Sequence, residues 1–192
     1  MTRLVEIELG DGVLDRARAG DERAQADIYA AVAPATFALI RRIVGHRAVA
    51  EDLFQDTMIT LYQHLPAFRG EAPLGAWLRQ IAISKCLMYL RSPWHRARLR
   101  LEGTGEADGV AALLATPAPR AESLDVERAL ASLSPTARAV VWLYEVEGYS
   151  HEEIARFFGR SISFSKSQLA RAHMRLREWF EPNGNRQTCS PI

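Results

Sequence analysis

Two stretches of this 192-residue sequence gather side chains that bind polyanions. From Arg156 to Arg177 every charge is positive, and Glu178 closes the run. From Arg79 to Arg100 the charged residues are Arg79, Lys85, Arg91, Arg96, Arg98 and Arg100, with Trp77, Tyr89 and Trp94 in or beside the run. Lysine and arginine neutralise phosphates or reach guanine edges. Aromatics interleaved with cations suit a single strand, whose bases stack on rings while its phosphates meet the cations. The competing reading makes both stretches solvated helix faces, with Trp77 and Ile81 in the core.

A third stretch, "AEDLFQDT", sets Glu51, Asp52, Gln55 and Asp56 on a helical pattern with no metal-ligand partner nearby. These acids are either a solvated face or a docking surface for a basic protein. His46, His64, His95, His151 and His173 form no His-Glu-x-x-His or Cys-x-x-Cys array, and "HEEIA" lacks the second histidine. Metal-dependent hydrolysis therefore fails on spacing. No motif implies a metal, a cofactor or a catalytic residue.

The whole chain sets the frame for these stretches. Its net charge of +1 gives no global polyanion signature, so nucleic-acid affinity has to come from local patches. Hydrophobic content of 48% with 24% charged residues is ordinary for a soluble protein of one medium or two small domains. No apolar run reaches the length of about 18–20 residues that spans a bilayer. The N-terminus carries acids and does not read as a signal peptide. Cys86 and Cys189 lie far apart and make no disulfide framework, so a cytoplasmic location is the default.

Periodicity of 3.6 residues recurs while alternating strand patterns are scarce, which predicts an all-α fold. Two helices fall between Gly12 and Gly45, and Gly45 reads as a C-terminal cap. The acidic helix follows, with Leu53, Thr57 or Met58, Leu61 and Leu65 on one side, and Pro66 ends it. After the turn-rich "RGEAPLG", a helix carries Trp77, Ile81, Ser84, Met88 and Arg91 at spacings of three and four, and Pro93 stops it. Residues 101–121 are rich in Gly, Ala and Pro and read as a flexible linker. The expected organisation is two small helical domains, 1–100 and 122–181, with a disordered tail at 182–192.

In the second domain Ser134 caps a helix that opens on Pro135. Ser150 and Glu153 make a capping box. Gly159 marks a tight turn, and Ser161 caps the last helix. Helix, short turn and helix give a helix-turn-helix outline. At 100° per residue Ile162, Leu169, Ala172, Leu176 and Phe180 form the expected buried face of the last helix. The opposite face collects Ser163, Lys166, Ser167, Ala170, Arg171 and Arg175, a small, hydroxylic and basic surface suited to a major groove. Phe164 either contacts a base or folds back on the helix start. Ser165, close to the buried side, is expected to bond locally to the preceding turn.

The order of "ARAGDERAQADIYAAVAPATFALIRRIVG", "AEDLFQDTMITLYQHLPAFRGEAPLGAWLRQIA" and "ALASLSPTARAVVWLYEVEGYSHEEIARFFGRS" resembles the extracytoplasmic-function sigma factors of bacteria, over roughly Leu14 to Phe180. The resemblance implies a non-enzymatic two-domain initiation factor that joins core RNA polymerase and directs it to promoter DNA. It implies that Asp52, Gln55 and Asp56 grip polymerase, with Asp56 where Glu is usual. It implies that Phe68, Arg69, Trp77 and Arg79 open the −10 element and capture a flipped base, with Ser84 and Lys85 further along the same helix. The last helix resembles the −35 reader at Lys166, Ser167 and Arg171, and Ser163, Phe164 and Arg175 on or beside the same face complete the expected −35 set. Family members are often held by an anti-sigma protein, which adds a further partner class; no direct membrane insertion is implied.

The sequence departs from the family pattern at Ile83, Ser84 and Met88, where Arg-Asn and a later Asp are usual, and in "SFSKSQL", where "GTVKSRL" is frequent. A linker of about 20 residues reaches at most about 65–70 Å, roughly two turns of B-DNA. Two other classes stay open at this point. One is a stand-alone helix-turn-helix regulator; the other is an adaptor that holds polymerase without reading DNA.

Overall fold

The computed structural model describes residues 4–93, 95 and 121–180. The linker at 101–121, the tail with Cys189, and Trp94, Arg96, Arg98 and Arg100 lie outside the described residues, apart from Ala121. The chain divides into two compact units, 1–103 and 104–192. Every regular element among the described residues is helical. No described helix is long and apolar enough to cross a membrane.

The first unit opens with a 3-10 turn, Leu4–Glu6, followed by α1 (Val13–Arg18), α2 (Glu22–Val44), α3 (Arg47–His64) and α4 (Leu74–Arg91). Asp21 caps α2 by accepting from the Arg23 and Ala24 amides at 2.9 and 3.3 Å. Gly45 ends α2 in the left-handed region at φ 76°, a conformation that favours glycine. α3 passes at Leu65 into a 3-10 turn, Leu65–Ala67, which carries Pro66. The core joins Ile28, Val32, Ile40 and Ile43 of α2 to Leu61 and Leu65, and to Leu78 and Ile83 of α4.

The stripe on α4 that its spacing singles out faces outward. Ser84, Met88 and Arg91 are exposed, and Trp77 and Ile81 are half-buried. The inner side is Leu78, Ala82, Cys86 and Leu90. Their i, i+4 spacing is equally regular, and their smaller side chains admit α2 and α3 at close range.

The second unit comprises α5 (Ala121–Ala131), α6 (Pro135–Val141), a π turn (Trp142–Val146), α7 (His151–Phe158) and α8 (Ile162–Phe180). The local capping chemistry is that expected. Ser134 Oγ accepts from Ala137 N at 3.3 Å, and Ser150 and Glu153 form a reciprocal box. Gly159 closes α7 at φ 60°, and Phe164 N donates to Ser161 Oγ at 3.3 Å. The end of α5 is finished from a distance. Arg138, buried in α6, donates to the carbonyls of Leu130, Ala131 and Leu133 at 2.8, 3.0 and 3.2 Å. Leu130 and Ala131 are among the last residues of α5, whose carbonyls a helix end leaves without intrahelical partners, and Leu133 lies in the turn that follows.

On α8 the buried arc is Ser165, Leu169 and Ala172. Ile162 and Phe180, expected inside, are 42% and 53% exposed. They are the first and last residues of the helix and lie at one edge of an arc centred on Ser165 and Leu169. Ser165 is fully buried, and its hydroxyl lies 3.0 Å from His151 Nδ1 on α7. A contact between helices thus replaces the expected local bond.

Candidate nucleic-acid interface

The site in the first unit is a concavity between the end of α3 and the start of α4. Phe68, Arg69, Trp77 and Arg79 all line it, together with His64, Glu71 and Gln80, around a volume of about 560 Å³. The Phe68 and Trp77 rings stack at 4.7 Å and 26°. Phe68 keeps only 9% of its surface, so it backs Trp77 from below, and the half-buried indole is the larger ring surface toward the cavity. The Arg69 guanidinium stands in solvent 3.8 Å from Glu71, an exposed pair of small energetic weight. Ser84 and Lys85 sit further along α4 and are not among the lining residues.

His64 and Gln80 have no counterpart among the sequence-derived site residues. His64 precedes the Pro66 break by two residues, and Gln80 lies one helical step from Trp77, so the signal was their proximity to the turn. His64 Nδ1 is 2.9 Å from the Thr60 carbonyl, which orients the imidazole.

Asp52, Gln55 and Asp56 are exposed together on one side of α3. Ile59 belongs to the same stripe and is 54% exposed. The sequence reading passed over it because an isoleucine at helical spacing reads as core. An apolar side chain ringed by acids and amides has the composition of a protein contact surface rather than of a metal site. No described group of three His, Cys, Asp or Glu side chains could hold a metal ion.

In the second unit Ser163, Lys166, Ser167, Ala170, Arg171 and Arg175 are all exposed on the outer side of α8. Phe164 is half-buried, 5.8 Å from the Phe158 ring, with the Arg160 guanidinium 6.0 Å from its centroid. It therefore leans back on the turn while keeping an open edge. Arg171 is oriented by its own helix. Its Nε donates to the Ser167 carbonyl at 3.2 Å, and a terminal nitrogen lies 3.4 Å from Ser167 Oγ. Met174, missed by charge-based reading, is 59% exposed within this face and offers a methyl-sized apolar contact. The helix is tied down on its inner side by Ser165–His151, and at an exposed flank by His173 Nε2, 3.0 Å from Glu145. His151 also stacks on Tyr144 at 4.4 Å.

Known proteins carry the same two units. Residues 28–96 match Sigma-70 region 2, and residues 123–176 match Sigma-70, region 4. The chain is 32% identical to the ECF RNA polymerase sigma factor SigM of Mycobacterium tuberculosis over 127 residues, 66% of this chain and 62% of that relative. It is 31% identical to the RNA polymerase sigma factor CarQ of Myxococcus xanthus, over 86% of this chain and 94% of the relative. Among solved structures it is similar to the sigma factor RpoE of Bartonella quintana, which was crystallised with the anti-sigma factor NepR. That similarity has a TM-score of 0.52 at 25% identity and covers 82% of this chain and 97% of that one. With both regions present in order, each carried by its own helical unit, the chain belongs to the sigma-70 family, in its extracytoplasmic-function group.

Proposed function

We propose that the protein is a non-enzymatic initiation factor that binds core RNA polymerase and directs it to promoters with two elements. The α3 face with Asp52, Gln55 and Asp56 docks on polymerase. The outer face of α8, with Ser163, Phe164, Lys166, Ser167, Arg171 and Arg175, reads the −35 duplex. Phe68, Arg69, Trp77 and Arg79 then hold the unpaired strand of the −10 element, with Ser84 and Lys85 toward its phosphates further along α4.

One observation carries this reading. The indole of Trp77 rests on a buried ring at the wall of a cavity edged by arginines, which is the arrangement that stacks an extruded base. Extruding a base costs a few kcal/mol, which stacking and phosphate contacts offset. The domain limits that go with it are 1–100 and 122–181, joined by 101–121. Action is in the cytoplasm, and an anti-sigma protein is a natural further partner, since the similar B. quintana factor binds one.

The test is transcription with purified bacterial core polymerase, this protein and a library of promoter fragments. Start sites that depend on the protein and share two upstream elements support the reading. Polymerase that responds to a control sigma factor yet gives no such starts here refutes it. A palindromic footprint of the protein alone would then favour a stand-alone regulator.

A further inference from the structure

Gly75 is the second residue of α4, and glycine is a poor helix former. Its reason lies at the other end of the unit. The backbone of Leu4 crosses α4 at this point, so that a Cβ on Gly75 would overlap the Leu4 carbonyl oxygen and lie 2.7 Å from its carbon. Both are backbone atoms, so a rotamer change cannot relieve the clash. Leu4 itself is only 5% exposed. The 3-10 turn Leu4–Glu6 packs on α4 and α2, and α1 packs on the 3-10 turn Leu65–Ala67. Gln25 strengthens this hold, its side chain donating to Ala17 O at 3.2 Å while its carbonyl accepts from Tyr62 Oη at 2.9 Å.

These contacts bracket one segment. Residues 68–73 run from the Leu65–Ala67 turn to the start of α4, and they carry Phe68 and Arg69 to the cavity. Residues 4–18 therefore hold both ends of that segment, one through α1 and the other through the Leu4–Gly75 crossing.

We propose that residues 4–18 are a brace that fixes the 68–73 segment in the shape that captures the −10 strand, with Gly75 as the positioning residue that lets the brace seat. The proposal rests on the −10 reading given above. A side chain at position 75 lifts the brace and moves Trp77, two residues on, away from its ring partner. A displacement on the order of an ångström at a positioned contact is enough to lose a large fraction of activity.

The experiment compares the full-length protein with Gly75→Ala, and with Leu4→Ala, which removes the anchor without a clash. Hydrogen exchange of the Phe68, Ala76 and Trp77 amides, which bond Leu65 O and Pro73 O at the two ends of the segment, is expected to rise about tenfold or more in both, while the α2 and α3 core amides stay protected. With core polymerase and a promoter recovered as above, initiation on duplex template is expected to fall about tenfold. A template premelted across the −10 element is expected to restore it to within about twofold. Unchanged exchange of the Phe68, Ala76 and Trp77 amides, or equal losses on duplex and premelted templates, would overturn the brace. Trp77→Ala is the control for the underlying reading. If it leaves initiation intact while Gly75→Ala still loosens 68–73, the −10 assignment fails and the brace remains.

Discussion

The two surfaces proposed to meet nucleic acid differ in shape and in what makes them. The outer face of α8 is convex and comes from one helix, whose side chains are arranged by their own turn: Ser167 Oγ donates to Phe164 O at 2.9 Å, and Arg171 donates to Ser167 O. The cavity of the first unit is concave and is assembled from the end of α3, a connecting segment and the start of α4. A duplex groove can be met by a preformed ridge. A single extruded base needs a pocket, and a pocket needs its walls held by other parts of the chain. What is buried beneath each surface differs too. The first unit, which carries the cavity, buries Cys86 and aliphatic side chains; the second unit, which carries α8, buries Arg138 and the Ser165–His151 contact.

The sharpest way to probe this contrast is Arg138→Met. It removes three hydrogen bonds, to the Leu130 and Ala131 carbonyls at the end of α5 and to Leu133 O in the turn that follows; only Leu130 O keeps a backbone donor, Leu133 N. At about 1.5–3 kcal/mol for each bond to a charged group, less the cost of burying the guanidinium that methionine removes, the second unit should lose roughly 2–4 kcal/mol in urea unfolding. The first unit should be unchanged, and equal losses in both would show that they do not fold separately. Next is Trp77→Ala, which removes a stacking platform worth about 1–3 kcal/mol per base. Initiation on duplex promoters should fall about 10- to 100-fold while affinity for core polymerase holds. A matching loss in −35 duplex binding would erase the distinction between the surfaces.

The buried thiol gives a smaller, pH-dependent contrast. Burial pushes the Cys86 pKa well above its ordinary value of 9.0. Because the folded pKa is raised, its contribution to stability is complete below pH 9.0 and is lost as pH rises beyond it. Above that point stability should decline by up to about 1.4 kcal/mol per pH unit. Cys86→Ala should remove that alkaline slope from the first unit only. The smallest effect is expected from Lys166→Ala, which should reduce the salt slope of −35 duplex binding by about 1, from about −5 if six phosphates are neutralised. An unchanged slope would place Lys166 off the phosphates.

Features written in neighbouring residues were legible in the sequence. The caps at Ser134, Ser150 with Glu153, Gly45 and Gly159 depend on groups a few residues apart, and each stands where its local chemistry requires. The outer residues of α8 were legible for the same reason, since a single helix fixes their directions. What failed depended on distant partners. Ser165 meets a histidine 14 residues away, and Gly75 answers to a carbonyl near the start of the chain. On α4 two stripes had comparable periodicity, and only the approach of α2 and α3 decides which is inside. Trp77, large and apolar, drew attention to the outer one.

The separation of faces on α8 has a consequence for how such a protein can change. Ser167 and Arg171 bond within their own helix, and the ties to α7 and the π turn run from Ser165 and His173 instead. Replacing Ser163, Ser167, Ala170 or Arg171 therefore leaves the scaffold intact. If this face reads the −35 duplex as proposed, the sequence it reads is free to drift, or to be rewritten by design, at almost no cost in folding.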